Sequence, residues 1–167
     1  MLEIFQVENS ENLEQVRILW NEYGACMETN LADVSHKPEP IRYFRDYYEE
    51  INNNLPGEYT PPEGCLLLAT YDNQTAGCIG LRKYENDICE ARRLFVRKKY
   101  RRMGIAKALV QALADQARNI GYKRMWLHTN RRMTGAEDFY RSLGLKDIEP
   151  YEHFSLDNMV YLELKLA

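Results

Sequence analysis

One stretch limits this chain more than any other. Leu94-Phe-Val-Arg-Lys-Lys-Tyr-Arg-Arg-Met-Gly-Ile-Ala-Lys107 carries an apolar strand end into a basic turn, Arg101-x-x-Gly104-x-Ala106. A long amphipathic helix follows at once. Ile105, Ala108, Leu109, Ala112, Leu113 and Ala117 recur at spacings of three and four, and Gly121 marks its end. A helix start of this kind is an anion site. Its first N–H groups have no intrahelical partner, and the helix dipole adds partial positive charge there. Gly104 permits close approach and positive φ, and Ala106 is small enough to keep the helix start open. Lys98, Lys99, Arg101 and Arg102 attract a polyphosphate. The pattern is neither the nucleoside-triphosphate loop nor the dinucleotide fingerprint, which need other glycine spacings. Taken alone it also suits a charged hairpin ahead of a surface helix.

The rest of the chain alternates strand and helix signals. Residues 2–7 read as a strand. Ser10 is expected to cap a helix whose apolar stripe is Leu13, Val16, Ile18, Leu19, Trp20 and Tyr23. A second helix is expected from about residue 40 to 51, with Tyr43, Phe44, Tyr47 and Tyr48. Residues 52–64 form a turn-rich loop of fixed geometry. Strands are expected over 65–71, 76–84 and 88–96, joined by short turns that favour an antiparallel meander. A strand over 124–129, a helix over 134–143 and a strand over 159–166 complete the series. This order predicts a single domain, 1–167, of α/β (α+β) class. Its central sheet is mixed and mostly antiparallel, with six to seven strands and helices on both faces.

Charge narrows the partners. The net charge is −3, but residues 1–90 hold six basic and seventeen acidic side chains, and residues 91–167 hold sixteen and eight. A basic half suits nucleic acid or a smaller polyanion such as a phosphorylated cofactor, and an acidic half suits a cationic substrate. The negative total and the lack of a nucleic-acid motif argue against nucleic acid. No run approaches the ~18 apolar residues of a membrane span, and the N-terminus has no signal-peptide pattern. A cytoplasmic protein with no membrane partner is expected. Cys26, Cys65, Cys78 and Cys89 show no zinc spacing, so no metal is expected. Cys65, Cys78 and Cys89 read as small buried hydrophobes in a reducing compartment.

The turn resembles that of the GNAT superfamily of N-acetyltransferases, which carry Gln/Arg-x-x-Gly-x-Gly/Ala between the fourth strand and the helix after it. Leu94-Phe-Val96 looks like the family's strand end, Arg124-Met-Trp-Leu-His128 like its fifth strand, and Ala136-Glu-Asp-Phe-Tyr-Arg-Ser-Leu-Gly-Leu145 like its Ala-x-x-x-Tyr-x-x-x-Gly-Phe block. Leu55-Pro-Gly-Glu-Tyr-Thr-Pro-Pro and Cys89-Glu-Ala-Arg-Arg-Leu are similar to segments of bacterial members of unassigned substrate. The resemblance covers about residues 65–166. It implies the GNAT fold, splayed between strands 4 and 5, and acetyl-CoA as co-substrate. It implies that Arg101, Arg102, Met103, Gly104, Ile105 and Ala106 hold the pyrophosphate, and that Leu94, Phe95 and Val96 hold the pantetheine and acetyl groups. Two positions depart from the pattern. Met133 stands where an asparagine often contacts the cofactor, which leaves Asn130 as the candidate, and Leu145 replaces a phenylalanine.

The reaction so implied is direct attack of an amine on the thioester in a ternary complex. The acceptor is a small-molecule or peptide amine, and a homodimer is a common family state. Tyr140 matches the tyrosine near the coenzyme sulfur and is the expected acid. Glu90 is the candidate base, placed by strand alternation with Arg92 and Leu94 unless a bulge intervenes. A structural ion pair with Arg92 or Arg93 is an equal alternative for it, and Glu85, the Glu58-Tyr59 loop and His128 remain further base candidates. Tyr43, Tyr47, Tyr48 and Tyr59 among carboxylates would suit a cationic amine. The alternative function is a catalytically silent coenzyme A-binding module.

Overall fold

The computed structural model describes residues 1–31, 49–152 and 157–167. The helix expected from about residue 40 falls mostly outside the described residues, as do Tyr43, Phe44, Tyr47 and Tyr48; residues 49–53 are helical. Seven strands form one sheet: β1 (Leu2–Gln6), β2 (Cys65–Tyr71), β3 (Gln74–Glu85), β4 (Ile88–Val96), β5 (Arg124–Asn130), β6 (Lys146–Asp147) and β7 (Met159–Lys165). Their order is β1-β2-β3-β4-β5-β7-β6. All neighbours are antiparallel except β4 and β5. Parallel strands need a crossover, and helix α2 (Ile105–Ile120) supplies it. The two-residue β6 adds a seventh strand too short to leave an alternation signal.

Helix α1 (Ser10–Leu31) covers one face of the sheet. Its cap is Asn9 rather than Ser10: the Asn12 amide donates to Asn9 Oδ1 at 2.8 Å, which places Ser10 inside the first turn. Val16, Leu19 and Trp20 bury fully, whereas Ile18 lies off that stripe and is 37% exposed. They pack with Leu66, Leu68, Cys78 and Phe95 from the sheet. Helix α2 covers the other face with Ile105, Leu109, Val110, Leu113, Ala114 and Ala117, against Leu67, Ile79, Leu81, Met125, Leu127 and Leu162. Each large side chain so buried contributes about 1.5–3 kcal/mol. Helix α3 (Ala136–Ser142) follows β5 and leans on the same core through Phe139 and Tyr140.

The loop before β2 is tied down as its composition implies. Tyr59 is buried, with its ring edge-on to Trp20 at 5.2 Å between centroids. Gly64 lies where loop and sheet touch: a Cβ there would stand 2.4 Å from the Glu58 carbonyl oxygen and 2.8 Å from that of Leu81. Both neighbours are backbone and yield little. Gly64→Ala is therefore expected to cost about 1–3 kcal/mol by overpacking, read as a lower urea midpoint with unchanged slope.

Candidate active site

Strands β4 and β5 pair at three positions, Ile88 with Arg124, Cys89 with Met125 and Glu90 with Trp126. Beyond Glu90 they part, and a cleft of about 840 Å³ occupies the gap. This is the splay expected between strands 4 and 5. A β-bulge accompanies it. From the Cys78–Phe95 pair to the Gly80–Arg92 pair, β3 advances two residues and β4 three. The extra residue, Arg93, has φ 56°, a left-handed backbone that costs a non-glycine residue about 1–2 kcal/mol. The bulge reverses the alternation. Glu90 and Arg92 lie opposite Cys89 and Ala91, but Leu94 and Val96 join the α2-side core and Phe95 joins the α1-side core. Plain alternation, which groups Leu94 with Glu90 and Arg92, fails at this residue.

At one end of the cleft stands the basic turn. Gly104 caps α2 with φ 79°, and Arg102 has φ 62°. The Arg101 Nε donates to the Val96 carbonyl at 3.0 Å and so ties the turn to the strand end. Arg101, Arg102 and Ala106 line the cleft, with Leu94, Phe95 and Val96 beside them. Met103 is 43% exposed and Ile105 is buried in the core, and neither is among the residues lining the cleft. Tyr140 reaches the cleft from α3. Burial pushes its hydroxyl up to about 12, which keeps it protonated at neutral pH.

Asn130 borders the cleft but its side chain is engaged. It is buried, its amide donates to the Asp157 carbonyl at 2.8 Å, and its oxygen accepts the Arg132 amide at 3.0 Å. It orders the turn after β5. Glu90 does not border the cleft. It is fully buried at the last shared rung of β4 and β5. Its Oε1 accepts from Arg82 Nε at 3.0 Å and Arg92 Nη1 at 2.9 Å, and its Oε2 accepts the Tyr151 hydroxyl at 2.7 Å. Burial alone would raise its pKa, but Arg92, the Tyr151 hydroxyl and Arg82 outweigh that and hold it below the ordinary value. A carboxylate so held is a poor proton acceptor, and the geometry favours the ion-pair alternative. Glu90, His128 and Glu152 offer ligand atoms within 4.8 Å of one another, yet the guanidiniums already supply the cationic charge there.

The opposite end of the cleft was hidden in the sequence. Tyr23, Cys26 and Met27 of α1 line it together with Arg92, Arg93 and His128. The Arg93 guanidinium carbon lies 4.6 Å from the centre of the buried Trp20 ring. Tyr23, which reads as one more member of an apolar stripe, packs edge-on to Phe95, and burial beside Tyr140 raises its hydroxyl to about 12. Tyr59, expected on an acceptor wall, is instead beneath α1 and not among the lining residues. His128 lines the cleft with its pKa lowered from 6.5 to about 4, chiefly by burial and then by Arg92.

The acetyltransferase (GNAT) family model matches residues 16–145. The chain is 32% identical over 126 residues to an uncharacterised N-acetyltransferase of Schizosaccharomyces pombe, covering 74% of this chain and 77% of that protein. It is 32% identical over 146 residues to the N-acetylaspartate synthetase of Xenopus tropicalis, covering 87% of this chain but 46% of that protein. In fold it is similar to the PaiA N-acetyltransferase of Thermoplasma acidophilum, solved in complex with coenzyme A, at TM-score 0.76, 21% identity and 99% coverage of both chains. The chain belongs to the GNAT acetyltransferase family. Among the described residues no helix is long and apolar enough to cross a membrane.

His128 gives the fold a pH dependence. Its folded pKa is depressed, so from pH 6.5 down to about 4 the unfolded chain takes up a proton that the folded one refuses, and stability falls as pH falls. His128→Asn is expected to flatten that window by up to about 3 kcal/mol, measured by urea midpoints across pH. The Glu90 contribution lasts to lower pH and is lost below the ordinary carboxylate range.

Proposed function

We propose that the protein transfers the acetyl group of acetyl-CoA to a primary amine of a small molecule or peptide, by direct attack in a ternary complex. The observation that carries this reading is the continuous cleft from the Arg101–Ala106 turn, past Leu94–Val96, to Tyr140. In this reading the amides of residues 101–106 hold the pyrophosphate against the α2 dipole, and Arg101 and Arg102 add charge. The thioester lies along the β4 edge, where the ladder to β5 has ended. A neutral amine nitrogen bonds to the carbonyl carbon, and a backbone N–H near Phe95 and Val96 stabilises the oxyanion. Collapse breaks the carbon–sulfur bond. The thiolate takes the Tyr140 proton, and water accepts the proton lost by the nitrogen. Glu90 acts as a positioning residue: it holds Arg92 and the root of β4 while its oxygens stay engaged. Asn130 acts likewise on the turn after β5.

Calorimetric titration with acetyl-CoA, followed by free-thiol release over an amine panel, tests the reading. A Cβ at Gly104 meets nothing within 4 Å, but φ 79° strains any residue with a side chain at the start of the turn. Gly104→Val is expected to stay folded and to lose about tenfold or more in acetyl-CoA affinity, the worth of one or two charge-assisted hydrogen bonds. Tyr140→Phe is expected to lower kcat by about 10²–10⁴ with little change in acetyl-CoA affinity. Unchanged turnover would remove Tyr140 from the acid role.

A further inference from the structure

We infer that Tyr23 is a second hydroxyl of the active site, which accepts a hydrogen bond from the acceptor amine and aims its lone pair at the thioester carbon; this rests on the acetyl-transfer reading above. In that reading the departing sulfur has the Tyr140 hydroxyl and the oxyanion a backbone N–H, and the attacking nitrogen is still to be placed. A neutral primary amine has two N–H donors and one lone pair. Only an approach with the lone pair along the line to the carbonyl carbon is productive, and an acceptor on an N–H fixes that direction. The nitrogen becomes positive as the new bond forms, so the same hydrogen bond is stronger in the transition state than before it.

Tyr23 stands where such an acceptor is needed. Tyr23, Cys26 and Met27 are spaced at three and four residues, so one stripe of α1 lines the cleft, and Tyr23 alone of the three has a side-chain oxygen. Its ring packs edge-on to Phe95 with centroids 6.0 Å apart, and Phe95 borders the proposed acetyl position. Tyr140 borders the same cleft from the opposite side of the sheet: it leans on the α2-side core, whereas Tyr23 packs against the α1-side core. A phenol therefore flanks the gap between β4 and β5 on each face. With sulfur leaving toward Tyr140, the face left for the nucleophile is the one that holds Tyr23.

The side chain is held there. Trp20, one turn earlier, is fully buried. Glu22 accepts a fork from Arg97 at 3.0 and 2.8 Å, while Arg97 Nη1 donates to the Thr75 carbonyl at 3.0 Å. These contacts fix α1 against the end of β4. Burial, and next the neighbouring Tyr140, push the Tyr23 hydroxyl up to about 12 against the opposing pull of Arg93 and Arg92, so it stays protonated at neutral pH. It is an oxygen that receives a hydrogen bond, not a base, and the proton of the nitrogen passes to water as above. A phenol donates one hydrogen bond and still accepts another, so a contact made by its proton leaves the role intact.

The test compares Tyr23→Phe with Tyr23→Leu by thiol release at saturating acetyl-CoA, using the fastest amine of the panel. Acetyl-CoA affinity by calorimetry and stability by urea midpoint are measured alongside. The Phe variant keeps the ring and its edge-on contact and removes the oxygen alone. It is expected to keep the wild-type midpoint and acetyl-CoA affinity. It is expected to lose about tenfold to a hundredfold in kcat with acceptor KM little changed, the pattern of an interaction made in the transition state. Tyr23→Leu is expected to lose at least as much turnover and to be less stable. Wild-type kcat in Tyr23→Phe, with a loss confined to Tyr23→Leu, makes Tyr23 a packing residue and overturns the inference while acetyl transfer stands. A Phe variant whose loss lies in acetyl-CoA affinity, in the urea midpoint or in acceptor KM at unchanged kcat overturns it too. A folded wild type that does not bind acetyl-CoA, or binds it and acetylates no amine, fails at the underlying reading, and the inference falls with it.

Discussion

The structure depends on one buried carboxylate. Glu90 sits on the last rung that β4 and β5 share, and two guanidiniums and a phenol converge on its two oxygens. In a low-dielectric interior such contacts are strong, yet desolvation offsets most of their gain. What the cluster supplies is position. Arg82 comes from β3, Arg92 from β4 and Tyr151 from the segment before β7, so one anion gathers three parts of the chain at the point of parting. Tyr84, Trp126 and Tyr151 pack around it with ring centres 4.7–5.2 Å apart. The root of the cleft is thereby rigid, and the two strands diverge from a fixed place.

From that root the two halves of the cleft have different origins. The proposed donor end comes almost entirely from one contiguous run, Leu94 to Ala106, in which strand end, turn and helix start follow directly. The other end is gathered from α1, the β4 bulge and β5. Arg97 joins the two by a forked contact to Glu22 of α1, at 3.0 and 2.8 Å, while its backbone continues β4. The helix that walls the α1 side is thus pinned to the same strand that leads into the basic turn.

This difference explains what the sequence made legible. The run from Leu94 to Ala106 shows itself because its signals are local: a glycine, a small residue and basic side chains at fixed spacing, before a 3.6-residue period. The mixed, mostly antiparallel sheet followed from the order of elements and their short turns, the parting of strands 4 and 5 from the family resemblance, and the register agrees. Side-chain direction along β4 was not legible past Arg92, because an unpaired residue in a strand leaves no mark in composition. Tyr23 and Tyr59 were ambiguous for a related reason. An aromatic residue that lines a cleft and one that plugs a core obey the same periodicity, and only the packing of Trp20 separates them. Asn9 and the adjacent Ser10 satisfy the same capping rule, so only the hydrogen bond separates them.

The bulge at Arg93 acts as a phase shifter. Strand β4 serves both sides of the sheet, and one additional residue decides which side chains each side receives. Were the same sequence paired without the bulge, strict alternation would turn Leu94 and Val96 toward α1 and Phe95 toward α2. Both walls of the cleft would be exchanged at a stroke, although no side chain had been altered. Point substitutions along this strand are therefore graded in effect, whereas a change of its length by one residue away from the bulge is all-or-none. Insertions and deletions should be confined to the turns at Asp72-Asn73 and Asn86-Asp87, where a residue more or less leaves the phase of β4 intact.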